Sequence, residues 1–124
     1  TQLQMKKGIL IDVHNREIKE VVIEDNIDSI YEQIKCDTFD VVEIHEENDV
    51  YVDDNGLNNL NERSMFFHYK GCHQPLSGNG LILGIDHETG ESIDKTLTID
   101  EVKKNVKFLT LFEIQLMSRF GVLN

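Results

Sequence analysis

Residues Pro75 to Asp100 read PLSGNGLILGIDHETGESIDKTLTID, and this stretch decides the fold. It opens with the chain's only proline and a run of turn residues. A wholly apolar core, Leu81-Ile82-Leu83, follows. A short apolar run bounded by turn signals reads as a strand buried on both faces, here from Gly80 to Asp86. Asp86 to Gly90 is then a polar turn, and Ser92 to Leu97 a short return strand. Thr98-x-x-Glu101 is a capping box that starts a helix. Gly78, Gly80 and Gly84 invite a phosphate-loop reading and fail it. Their spacing is G-x-G-x-x-x-G, Leu83 stands where a third glycine belongs, and they lead into a strand rather than into a helix N-terminus. They are read instead as turn geometry and close strand packing.

Upstream, Lys7 to Val13 and Glu17 to Ile23 are rich in β-formers, and the short polar Val13-His14-Asn15-Arg16 between them suggests a hairpin. Asp25 or Asn26 precedes Ile27, Ile30, Tyr31 and Ile34, which share one helical face out to Lys35. Phe39 to Ile44 and Asp49 to Val52 form a second strand pair, with Glu46-Glu47-Asn48-Asp49 as its turn. Asn55-Gly56 closes that pair with a strong turn signal. Leu57 to Lys70 fits neither period and is read as loop with a helical turn near Leu60 to Phe66. Gly71 to Gly80 is loop. Downstream, Ile99, Val102, Val106, Leu109, Phe112, Leu116 and Phe120 recur at three or four, predicting a helix from Ile99 to about Ser118 with Gly121 as its stop. A strand over Val106 to Ile114 is the competing reading, and the helix is favoured over it. The sum is a single α+β domain over 1–124: a twisted, mostly antiparallel sheet of five or six strands with one or two helices packed on one face.

A chain of 124 residues fits one domain and buries roughly two thirds of its unfolded surface without metal or disulfide. Apolar residues are 40% and tryptophan is missing, so the core is modest and a homo-oligomer would add burial. The net charge of −11 repels phosphates, which disfavours direct nucleic-acid binding and favours basic partners. Cys36 and Cys72 are read as free thiols in a reducing compartment. The N-terminus has no signal-peptide pattern, and no apolar run approaches the ~20 residues that span a bilayer. The expectation is a cytoplasmic protein with no membrane contact.

Candidate chemistry is sparse. Asp53, Asn55, Gly56 and Glu62 occupy places of a calcium loop, but Tyr51 stands at its first place, where a carboxylate belongs. His68, Cys72 and His73, with Cys36 and His87 elsewhere, lack metal-ligand spacing. Cys72 with a histidine is a nucleophile-and-base candidate without a visible oxyanion hole. No cofactor is implied. The unusual feature is electrostatic. From Asp37 to Glu62 there are nine acidic residues and no Lys or Arg. A solvated face is the plain reading. The sharper one is a surface formed by Asp37, Asp40, Glu43, Glu46, Glu47, Asp49, Asp53 and Asp54 that meets a basic partner, in the extreme by imitating nucleic-acid phosphates.

Three features, the β-rich N-terminal start with its short helix, Tyr51 to Phe67 (YVDDNGLNNLNERSMFF) and Pro75 to Val102, carry a resemblance. Asn55-Gly56, then Leu60-Asn61 with Arg63, then Gly78 or Gly80 through Gly84 and Asp86 resemble the motif order of a family of small acidic α+β proteins of unknown function. That family is carried by bacteriophages, plasmids and integrated elements. Glu62 stands where it usually has proline. The resemblance spans about residues 8 to 106 and rests on turn and packing motifs. With no agreed activity in the family, it implies no catalytic residue. It implies a small accessory protein of a mobile element, often one acting on a host protein. The leading expectation is therefore a non-enzymatic protein that modulates a basic host protein, with inhibition of a defence or DNA-processing enzyme as one form. The alternatives are a protein sequestering a nucleotide-like ligand at a subunit interface, with Arg16, Arg63, Lys70 and Arg119 as its few cations, and a small hydrolase using Cys72.

Overall fold

The computed structural model describes residues 4–36, 38–55 and 60–120. The chain begins with a hairpin of β1 (Met5–Asp12) and β2 (Glu17–Glu24), paired from Met5↔Glu24 to Asp12↔Glu17. The connection has no Asn-Gly. Its geometry comes from the Asp12 carboxylate, which accepts the Asn15 N–H at 3.2 Å and the Asn15 Nδ2 at 2.8 Å, and from Arg16 at φ 52°. The helix α1 (Ile27–Ile34) follows, capped by Asn26, whose side chain accepts the Ser29 N–H at 2.8 Å. Lys35, in the left-handed region, ends it. A second hairpin joins β3 (Phe39–Glu43) to β4 (Asn48–Asp53).

The stretch from Pro75 forms β6 (Leu76–Ser77), β7 (Gly80–Ile85) and β8 (Ser92–Ile93), and ends at the helix α2 (Ile99–Asn105). The Thr98–Glu101 capping box is present in both directions. As its composition dictates, β7 is buried from Gly80 through Gly84 and runs through the centre of the main sheet, whose order is β2-β1-β7-β4-β3 with β8 beside β7. All its pairings are antiparallel. The glycines act as close-packing residues. A Cβ at Gly80 would meet the Phe67 ring at 2.7 Å, and one at Gly84 would collide with the Asp94 carbonyl oxygen.

Four expectations change, the smallest being the two-residue strand β6 inside Gly71 to Gly80, read as loop and made a strand by its pairing with Phe66 and Phe67. The turn of the second hairpin lies earlier than expected. Asn48 and Asp49 belong to β4 and are buried, while Glu46 and Glu47 take φ near 59° and 58°. The segment read as loop with a helical turn contains a strand, β5 (Met65–Tyr69). Phe66, Phe67 and Tyr69 are all buried, so no one-sided period marks it. The part of that reading at 57–59, and Gly56 of the expected Asn55-Gly56 turn, lie outside the described residues. The expected long C-terminal helix is three elements: α2, then β9 (Val106–Thr110), then α3 (Leu111–Phe120). β9 pairs with β5 from Met65↔Thr110 to Tyr69↔Val106, giving a second sheet of order β6-β5-β9. Its β-branched and aromatic residues answer to that partner rather than to the helical period. A reciprocal cap between Thr110 and Glu113 restarts the helix: each side chain accepts the other's backbone N–H at 3.1 Å. The stop expected at Gly121 lies outside the described residues.

The class is α+β as the sequence implies, with a twisted main sheet, a second small sheet and three helices. One face of the main sheet packs on α1 through Ile23, Ile30, Ile34, Leu81 and Leu83. The other face meets the second sheet, with Ile9, Ile11, Val50 and Ile82 against Phe67 and Tyr69. Among the described residues no helix is long and apolar enough to cross a membrane.

Candidate binding surface

Residues paired across an antiparallel ladder point to the same face. Asp40↔Val52 and Val42↔Val50 therefore face the second sheet, while Phe39↔Asp53, Val41↔Tyr51 and Glu43↔Asp49 face α1. On the first of these faces, the end of the β3–β4 hairpin and the connection from Lys70 to Ser77 enclose a cleft of about 490 Å³. Its floor is apolar, from Val42, Ile44, Val52 and Leu76. Its acidic border is Asp40, Glu43, Asp53 and Asp54, and Lys70, Cys72 and His73 lie across from it. Glu43 and Asp53 also line the cleft, although their register belongs to the opposite face.

The eight acids singled out from sequence thus separate. Asp40, Glu43, Asp53 and Asp54 border one cleft. Asp40 and Asp53 are also engaged locally: Asp40 Oδ1 accepts the Val41 N–H at 2.9 Å, and Asp53 Oδ1 accepts the Asn55 N–H at 2.9 Å. Glu46 and Glu47 are exposed at the hairpin turn, outside the cleft. Asp49 is 7% exposed and is not presented to solvent with the others. Burial raises its pKa, and Glu43 directly opposite raises it further, against a smaller opposing effect of His87. Asp37 lies outside the described residues.

Behind the turn, Asn48 is fully buried and holds it from inside. Its Nδ2 donates to the Glu46 carbonyl at 2.7 Å and to Thr96 Oγ1 at 2.6 Å. Its Oδ1 accepts the Thr96 N–H at 3.0 Å. His45 Nε2 lies 2.6 Å from the Tyr69 hydroxyl, tying the turn to β5. Burial first, then Cys72 and Glu101, push the Tyr69 pKa up to about 12, so the phenol keeps its proton.

The geometry lends little to the cysteine reading. Burial pushes the Cys72 thiol pKa up, away from the thiolate a nucleophile needs. The His68 ring contacts the Cys72 carbonyl oxygen at 2.9 Å. Of the four cations named for ligand sequestration, Lys70 alone lines this cleft. Among the described residues no group of three or more His, Cys, Asp or Glu is placed to hold a metal ion. The cleft could not be found from sequence because its second wall, the Lys70 to Ser77 connection, depends on β5, which shows no period. Cys72 and Lys70 were visible only as isolated residues.

Fold and surface together define a small α+β protein with an acidic, open-sided cleft at one sheet edge. Residues 5–107 match the family described as a domain of unknown function, DUF3846, and the chain belongs to that family. The match runs from the start of β1 into β9 and includes the whole cleft. No curated protein and no solved structure matches the chain.

Proposed function

We propose that this chain is a non-enzymatic accessory protein, encoded by a bacteriophage or other mobile element, that binds and modulates a basic host protein. The observation that carries this reading is the cleft, where four acidic residues line an apolar floor. Charges at such a rim steer encounter and set orientation, and an apolar floor supplies burial once the partner has docked. A net charge of −11 extends the attraction beyond the cleft. A host enzyme that handles nucleic acid presents a basic surface of the matching kind, and blocking it is one form of the modulation. The site of action is the host cytoplasm. The mobile-element origin rests on the motif order from Asn55-Gly56 to Asp86.

The test compares immobilised wild-type protein with a variant carrying Asp40→Asn, Glu43→Gln, Asp53→Asn and Asp54→Asn. Both are exposed to bacterial lysate at low and high salt, and retained proteins are identified by mass spectrometry. A basic protein held by the wild type at low salt, and lost both at high salt and by the variant, is the expected result. Equal retention by the two forms contradicts the reading.

A further inference from the structure

We infer that the partner is engaged as an extended segment that adds a strand to the outer edge of β3, with basic residues toward the cleft and apolar residues toward α1. The inference rests on the acidic-surface reading above and specifies how that surface is used.

The first ground is the hydrogen-bond pattern. β3 ends the main sheet, and among the described residues no strand pairs with its outer side. Ile44 N–H donates to the Asn48 carbonyl, and Asp54 N–H to the Thr38 carbonyl. Alternation along an antiparallel ladder then turns the backbone groups of Asp40 and Val42 toward β4, and those of Phe39, Val41 and Glu43 outward. Outward groups on an edge strand are a template for another chain.

The second ground is what flanks the edge on its two faces. Toward the second sheet lies the acidic cleft, with Asp40 next to the edge. Toward α1 lies a groove of about 390 Å³ with an apolar part, where Phe39, Val41 and Tyr51 meet Ile27 and Ile30, and a polar part that includes Lys6, Glu24 and Asp25. Val41 is 41% exposed and Ile27 56%. Successive residues of an added strand fall alternately on these two faces. A segment alternating basic and apolar residues therefore meets opposite charge on one face and apolar surface on the other.

The third ground selects a foreign occupant over a second copy. Two β3 edges side by side would bring Asp40 and Glu43 of both chains together, in molecules that each carry −11. Asp40 also guards the edge directly, since its carboxylate covers the outward Val41 N–H at 2.9 Å. A Lys or Arg on the incoming strand draws that carboxylate away and frees the donor for the ladder.

The test uses peptide probes of about seven residues. One alternates Lys and Val. A second has the same composition in blocks. A third is the alternating peptide N-methylated at every second residue, which blocks one edge of the ladder without changing charge. Binding is read by fluorescence anisotropy, and amide hydrogen exchange is followed at Val41 and Glu43. The alternating peptide is expected to bind about tenfold more tightly than the other two and to slow exchange at both amides. A Val41→Pro variant, which removes the outward N–H, is expected to lose this preference, and Val41→Ala, which removes the same side chain but keeps the N–H, is expected to retain it. Equal binding of all three peptides, weakened equally by the four neutralising substitutions, overturns the strand-addition inference and leaves the acidic surface standing. Binding untouched by those substitutions overturns both.

Discussion

Asn48 shows how one side chain can hold an unfavourable backbone. Glu46 and Glu47 both occupy the left-handed region, a conformation that suits Asn-Gly far better than two glutamates. Their turn persists because the buried Asn48 amide bonds the Glu46 carbonyl and Thr96. Asn48→Ala leaves the Thr96 N–H without its acceptor, while the Glu46 carbonyl keeps the Thr96 hydroxyl at 2.6 Å; it is expected to lower stability by about 1–3 kcal/mol in chemical denaturation. Its neighbour Asp49 acts oppositely. A carboxyl whose folded pKa is raised stabilises the fold below its unfolded pKa, and that contribution is lost as pH rises through the folded value. Asp49→Asn should therefore be more stable than wild type at neutral pH, with the gain shrinking toward zero near about pH 4. Unfolding curves across that range check the sign. Neither role could be read from the sequence. Asn and Asp are ordinary turn residues, and Thr96, which engages Asn48, lies 48 positions away.

At the scale of elements, the legible parts were those with a local signal. The Thr98–Glu101 box, the Asn26 cap and the Leu81-Ile82-Leu83 strand are each written in a few adjacent residues. β5 was missed and β9 stood only as the competing strand reading over Val106 to Ile114, and for one reason. Each is a strand because the other pairs with it, and without β5 the spacing of Val106 and Leu109 looks helical. A local signal for the break did exist. Thr110-x-x-Glu113 is a second capping box inside the expected helix. The strand β7 carries the most direct mutational consequence. Gly84→Ala drives a methyl group into the Asp94 carbonyl of the segment after β8, which backbone must move to admit. A loss of about 3 kcal/mol is expected by thermal or chemical unfolding. Ala at Gly90, where a Cβ meets nothing within 4 Å, strains only a turn at φ 76° and should cost less.

For the whole molecule, composition gave the sign of the surface but not its shape. The acid-rich run from Asp37 to Glu62 was legible as a run of like charge. The fold then sorts it, sending Asp49 inward, leaving Glu46 and Glu47 at a turn and gathering Asp40, Glu43, Asp53 and Asp54 around a cleft. That sorting depends on strand register and on a loop wall from another sheet, both of them long-range. The central claim is that this cleft binds a basic protein. It is tested most directly by the Kd of the captured partner, purified and titrated by calorimetry against wild type and the four-site neutralised variant over a range of salt. The account predicts that wild-type binding weakens steeply with salt, and that the variant binds about tenfold or more weakly at low salt with a flatter dependence. A Kd that is the same for both proteins and indifferent to salt would contradict it.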